Sequence, residues 1–151
     1  MNPTAEPAAA APAHLGLRVL ALLYDMLPLL ALWFIATVLA LALTGGTLDV
    51  QRLPHKLLMQ ALMLGATAAY LIPSWRRGGQ TIGMKPWRLR IVCADGSQPN
   101  SRQLLLRFAV AMISIAGLGA GFLWALFDRQ KRTWHDMAAG TLMVQLGNIR
   151  E

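Results

Sequence analysis

The chain has 151 residues, enough for one small domain, and is 56% hydrophobic with only 14% charged residues. Soluble domains carry roughly 25% charge, so the composition excludes an ordinary water-soluble globule. The net charge of +7 could serve nucleic acid or an anionic membrane surface, and the mean hydropathy of +0.46 decides for the membrane and against nucleic acid.

In chain order, residues 1–14 (MNPTAEPAAAAPAH) are rich in Ala and Pro, lack apolar periodicity and predict a disordered tail. They make a poor signal peptide. No Lys or Arg precedes Arg18, and the following apolar run is longer than a secretory core of roughly 7–15 residues. The first predicted span covers about 17–43, with Arg18 at its mouth and Asp25 further in. No charge lies between Met26 and Leu43, and a helix needs roughly 20 apolar residues to cross a bilayer. The paired glycines of TGGT, Thr44–Thr47, end it. The second span covers about 57–75, with Tyr70 and Trp75 suited to an interface and Pro73 helping to close the helix.

A basic loop, 76–107, follows. It carries Arg76, Arg77, Lys85, Arg88, Arg90, Arg102 and Arg107 against Asp95 alone. The positive-inside rule makes this loop and the N-terminus cytoplasmic and turns the link before the second span outward. Within the loop, WRLRIV (Trp87–Val92) alternates as a strand does, Asp95–Gly96 signals a turn, and Asn100 with Gln103 predicts a capping box. The third apolar run, 108–127, is long enough to span. A full crossing would place Arg129, Lys131 and Arg132 outside, against the charge rule. The glycines of GLGAG, Gly117–Gly121, offer a re-entrant hairpin instead, and GTLMVQL (Gly140–Leu146) could pair with WRLRIV. Both topologies are open at this level. The predicted fold class is all-α integral membrane protein: two to three transmembrane helices, the third a crossing or re-entrant, plus a small cytoplasmic β-hairpin-like element. Residues 148–151 are expected to be a C-terminal tail.

The chemistry concentrates in a few residues. Arg18 and Asp25 lie about two helical turns apart and so share a face, roughly 10 Å apart along the axis. A mid-span Asp costs roughly 2.5–3.5 kcal/mol and calls for a partner. Arg18, Arg107, Gln60 and Tyr70 are the candidates. Pro28 removes a donor and frees the Tyr24 carbonyl beside Asp25. A broken helix beside a carboxylate can build a cation or proton site; the competing reading is a structural buried pair. His135 and Asp136 are sequence neighbours and a poor acid–base dyad. Asp136 is expected to cap a short helix or to bind an arginine of the basic loop.

GGQTIGMK, Gly78–Lys85, is not a phosphate loop, because Met84 separates Gly83 from Lys85 and Pro86 follows. It reads as a turn holding the basic loop near headgroups, where each Lys or Arg attracts anionic lipid by about 1 kcal/mol. Ala61, Gly65 and Ala69, and Gly117 with Gly121, form small-residue faces for packing within the chain or between copies. His14, His55 and His135 lack metal-ligand spacing, and Cys93, the one cysteine, has no nearby His. No catalytic residue, metal or cofactor is predicted, and the chain is not expected to be an enzyme.

An Arg opening the first span, an Asp within it, and a closing HDMAAGT resemble the RDD family of bacterial membrane proteins, named for one arginine and two aspartates. The resemblance places these on Arg18, Asp25 and Asp136. GGQTIGMKPWRLRIV and ADGSQPNSRQLLLRF are similar to further family segments; Met84 and the Trp134–His135 pair are departures. The likeness covers about 15–146 and implies one membrane domain, 15–147, in a bacterial inner membrane, multi-pass, with the N-terminus cytoplasmic. It also implies transport of an unidentified ligand. The function expected is therefore transport or a transport-accessory role, cation- or proton-linked through Asp25. The alternative is a non-transporting scaffold or assembly partner whose Arg and Asp residues are structural. Expected partners are the bilayer, anionic headgroups, and a second copy or another membrane protein.

Overall fold

The computed structural model describes residues 11–147. The expected tail of 148–151 and the first ten residues of the expected tail of 1–14 lie outside them. Ala11 and Pro12, placed in that tail by sequence, form a short edge strand, β1, and the following Ala13 is fully buried.

Helix α1 runs Leu15–Leu43 and continues unbroken through Pro28. Its buried residues, Arg18, Ala21, Asp25, Leu29, Ala36 and Ala40, recur at helical spacing and make a single stripe. The rest of its surface is apolar and open: Leu27 and Phe34 are each 71% exposed. Thr44 ends the helix, and Gly45 and Gly46 follow with positive φ. Helix α2 spans Leu53–Gly78. It starts before the expected 57 because Pro54 is preorganised for a first turn. It also runs past Pro73, contrary to the sequence reading. Ser74 Oγ donates to the Tyr70 carbonyl at 2.6 Å beside the proline, and the stop comes at Gly79, whose φ of +70° suits a helix end. Trp33 of α1 donates to Thr67 of α2 at 2.9 Å, linking the two helices at mid-length.

Strand β2 is Leu89–Cys93 and β3 is Thr141–Gln145. They pair antiparallel, as the alternation predicts, with Ile91 opposite Met143. The element is not a two-stranded hairpin: β1 adds to the other edge of β3, giving the order β1-β3-β2. Helix α3, Ser101–Ala116, opens with the predicted Asn100–Gln103 capping box. The third apolar run then breaks at Gly117–Gly119. A four-residue helix, α4 (Ala120–Leu123), and a 3-10 turn, Trp124–Leu126, leave at 107° to α3. Gly119 supplies the left-handed φ of +77° at the bend, and a side chain on Gly121 would meet Ser114 Oγ at 2.4 Å. Helix α5, Trp134–Ala139, leads into β3. Because β3 pairs with β2, which precedes α3, the third run leaves the sheet and comes back to it. The whole is mostly helical, with α1 and α2 long and apolar enough to cross a membrane and the bent pair a third candidate.

The sheet, α5 and the loop after α2 thus gather at one end of the α1–α2 hairpin, opposite the short polar link that joins the two helices. The hydrophobic core lies there too, where Ala21, Trp75, Met84, Leu89, Ile91, Leu104 and Phe108 pack between the sheet and the helix ends.

Candidate functional site

Four charged side chains are buried among the described residues: Arg18, Arg107, Asp25 and Asp136. Two cations and two anions sum to zero, which limits the cost of holding them out of water. Their pairing differs from the sequence expectation. Neither arginine binds Asp25; both bind Asp136.

Asp136 stands in the first turn of α5, fully buried. Thr133 caps that turn: its N–H donates to Asp136 Oδ2 at 3.0 Å, and its hydroxyl accepts from the Asp136 N–H at 3.4 Å. This capping box aims the carboxylate at the helix ends. Arg18 Nη1 meets Oδ2 at 2.6 Å, and Arg107 Nη1 pairs with Oδ1. Each arginine is anchored a second time. Arg18 Nε donates to the Ala13 carbonyl at 3.2 Å, and Nη2 to the Met143 carbonyl at 3.4 Å. Arg107 donates to Thr141 Oγ1 at 2.7 Å, and its guanidinium lies 5.6 Å from the centre of the Trp75 ring. One carboxylate and its two arginines thereby tie α1, α3, α5, β3 and the residue after β1 together. Burial alone would push the Asp136 carboxyl up, but Arg107 and Arg18 outweigh it and hold it well below the usual carboxylate range.

Asp25 is the centre of a second cluster. Its Oδ1 accepts from Tyr70 Oη at 2.5 Å and from the Gly83 N–H at 2.8 Å, and its Oδ2 accepts from Thr81 Oγ1 at 2.5 Å. Of the four partners expected for Asp25, only Tyr70 is one. Gln60 shares a cavity wall with Asp25 but makes no hydrogen bond to it among the described residues. Thr81 and Gly83 belong to GGQTIGMK, which folds inward against α1 at these two residues while Ile82 and Lys85 stay exposed. The approach is close enough that only glycine fits at 83. A Cβ there would come within 2.2 Å of the Ala21 carbonyl oxygen and 2.7 Å of Asp25 Cγ. The basic run is correspondingly smaller on the outside, because Arg107 is buried within α3.

His135 lies beside the first cluster, 5% exposed, with Phe122 edge-on at 4.9 Å between ring centres. Burial pushes its imidazole down to about 3, helped by Arg107 and opposed by Asp136, so it is neutral at physiological pH. It makes no contact that would let it act with Asp136 as an acid–base dyad. Thr133 and Thr141, the other partners in this cluster, were not singled out by sequence; the T-x-x-D spacing before an apolar turn is the signal that could have found the first.

Between α1, α2 and α3 lies a cavity of about 640 Å³, walled mainly by apolar side chains such as Leu29, Met63 and Ile115. Arg18, Asp25, Arg107 and His135 stand at its sheet end. The small-residue face of α2 is not used in packing within the chain: Ala61, Gly65 and Ala69 are all exposed, and nothing lies within 4 Å of a Cβ placed on Gly65. No group of His, Cys, Asp and Glu side chains among the described residues could hold a metal ion.

No curated protein and no solved structure matches the chain. The model of the RDD family does, over residues 12–140, a stretch that begins in β1, takes in both buried carboxylates and both buried arginines, and ends at the cap of α5. With most of its length matched, and with Arg18, Asp25 and Asp136 organising the end that holds its sheet, the chain belongs to the RDD family.

Proposed function

We propose that this RDD protein is a multi-pass inner-membrane scaffold or assembly partner, non-enzymatic and non-transporting, whose Arg18, Asp25 and Asp136 are structural. The observation that carries this reading is the saturation of both carboxylates by donors of the chain itself. Asp136 takes two guanidinium groups and a backbone N–H. Asp25 takes two hydroxyls and a backbone N–H. The wall of the 640 Å³ cavity is mainly apolar, which disfavours a desolvated ion beside them. The outward small-residue face of α2 suits close approach by a helix of a second copy or another membrane protein. The sheet end faces the cytoplasm, supported by the positive-inside bias of Arg76, Arg77, Lys85, Arg88, Arg90 and Arg102, and anionic headgroups surround it. With Cys93 replaced by serine, a cysteine at Gln145 should react only from the cytoplasmic side; labelling from outside alone would overturn this orientation.

A second reading, cation- or proton-linked transport or a transport-accessory role, has one observation in its favour. Asp25 borders the cavity, and the Tyr70 and Thr81 oxygens beside it could turn towards a cation. Asp25→Asn decides between the two when ion flux into vesicles and folded yield are both measured. The scaffold reading expects no flux in the parent and reduced yield in the variant. Flux in the parent, lost in a normally folded variant, contradicts it.

A further inference from the structure

On the outer side of α2, away from the large cavity, the loop that clamps Asp25 leaves a second hollow of about 390 Å³. Its floor is the face of α2 formed by Ala69, Tyr70, Pro73, Ser74 and Arg77, residues three to four apart and so on one side of the helix. The loop closes over this face, and the Ile82 N–H donates to Tyr70 Oη at 3.2 Å. Lys85 comes from the loop and Arg77 from the last turn of α2, both exposed, and both line the hollow. No carboxylate lines it, and neither cation forms an ion pair among the described residues.

Arg77 alone has an ordinary explanation, since a cation at a helix C-terminus complements the helix dipole. Lys85 does not. It belongs to another element, yet lines the same hollow as Arg77, so an anion held there can meet both charges. The hollow also has an apolar part, Ala69, Pro73 and Ile82, with Ile82 57% exposed. Two cations beside an apolar part, at the end of an apolar helix, match a charged phosphodiester that continues into hydrocarbon. The volume falls within the range of small-molecule sites, about 300–1,000 Å³.

We propose that the hollow between the last turns of α2 and the Gln80–Lys85 loop binds the phosphodiester headgroup of an anionic phospholipid, held by Arg77 and Lys85 with its glycerol and upper chains on Ala69, Pro73 and Ile82. This rests on the reading of α2 as a membrane span ending at the headgroup level. Because Tyr70 is both wall of the hollow and donor to Asp25, an occupied hollow also steadies the Asp25 clamp.

The test uses the full chain purified in neutral detergent at about 0.15 M salt, where distant charges are screened beyond roughly 8 Å. Phosphatidylglycerol, phosphatidylcholine and inorganic phosphate are titrated separately, with bound lipid counted by native mass spectrometry and unfolding followed by Trp fluorescence. The expected result is one retained phosphatidylglycerol per chain, a raised unfolding temperature, and an affinity about tenfold weaker in Arg77→Gln or Lys85→Gln, equivalent to about 1.4 kcal/mol. Lys85→Arg should keep it, and Arg102→Gln, on α3 and outside the hollow, should change it by less than about twofold. Equal retention of phosphatidylcholine, or equal weakening by Arg102→Gln, would overturn the site in favour of general attraction. Stabilisation by inorganic phosphate alone would overturn the lipid assignment. Alkaline extraction of cell membranes separates the two levels of failure: a chain released by alkali refutes the membrane span itself, whereas a retained chain without lipid preference refutes the hollow alone.

Discussion

Arg18 and Asp136 are 118 positions apart in the chain, and their side chains meet at 2.6 Å inside the polar end of the molecule. Arg107 reaches the same carboxylate from α3. Removing that anion leaves two buried guanidinium groups facing each other. Asp136→Asn should therefore destabilise the fold by about 3–5 kcal/mol, the usual cost of breaking a buried ion pair on one side. Thermal unfolding in detergent, with the folded fraction from size exclusion, checks this; an unchanged unfolding temperature would refute the role given to Asp136.

The Asp25 clamp predicts smaller, graded effects. Tyr70→Phe and Thr81→Val each remove one hydrogen bond to a charged oxygen, and each should cost about 1.5–3 kcal/mol. Gln60→Leu, at an exposed residue with no hydrogen bond to Asp25 among the described residues, should change stability by less than about 0.5 kcal/mol. The same unfolding assay ranks the three. A Gln60 variant as damaging as Tyr70→Phe would show that Asp25 has a different partner in the membrane.

Two glycines, one in the loop and one inside α2, should behave oppositely. Gly83→Ala places a methyl group 2.2 Å from the Ala21 carbonyl oxygen, so the loop must retreat from α1. A cost of about 1–3 kcal/mol follows from such overpacking. Gly65→Ala meets nothing within 4 Å and sits inside α2, so alanine should be neutral or stabilising by up to about 1 kcal/mol. Yield and unfolding temperature of the pair, measured together, make the comparison; equal effects would contradict the close approach at Gly83.

Much of this arrangement is legible in the sequence, and the gaps have physical causes. The two long apolar runs, the alternation of WRLRIV, the Asn100–Gln103 box and the GLGAG break are local signals, and each appears where the local rule puts it. What local pattern leaves open is which buried charge meets which. Helical spacing puts Arg18 and Asp25 on one face but about two turns apart, and Arg18 is turned towards β3 and α5, whose position depends on the chain returning from Gly117–Gly119. The partners of Asp25 were hidden because a backbone N–H and a threonine hydroxyl leave no trace in charge or hydropathy. The spacing in GGQTIGMK was visible, and a carboxylate without a cation is the context that would have given Thr81 and Gly83 their meaning. Pro73 misleads in the other direction, since Ser74 and Gly79 together let α2 run on to Gly78.

Stability should also depend on pH through His135. Burial, with help from Arg107 and Arg18 against Asp136, lowers its folded pKa to about 3, below the roughly 6.5 of an unfolded histidine. Between those values the unfolded chain binds the extra proton, so the contribution is complete above about pH 6.5 and is lost as pH falls towards 3. The unfolding temperature should drop from pH 7.5 to pH 5, and His135→Gln should flatten that slope. Asp136, also lowered, acts in the same direction only at still lower pH, through the ordinary carboxylate range. A slope unchanged in His135→Gln would place the titrating group elsewhere.

The pairing of the two arginines with Asp136 and not with Asp25 is tested most directly by two double-mutant cycles sharing Arg18→Gln, one with Asp136→Asn and one with Asp25→Asn, read by unfolding free energy in detergent. The account predicts a coupling of about 1–3 kcal/mol between Arg18 and Asp136, and none beyond about 0.5 kcal/mol between Arg18 and Asp25. Strong coupling of Arg18 to Asp25, with little to Asp136, would contradict it.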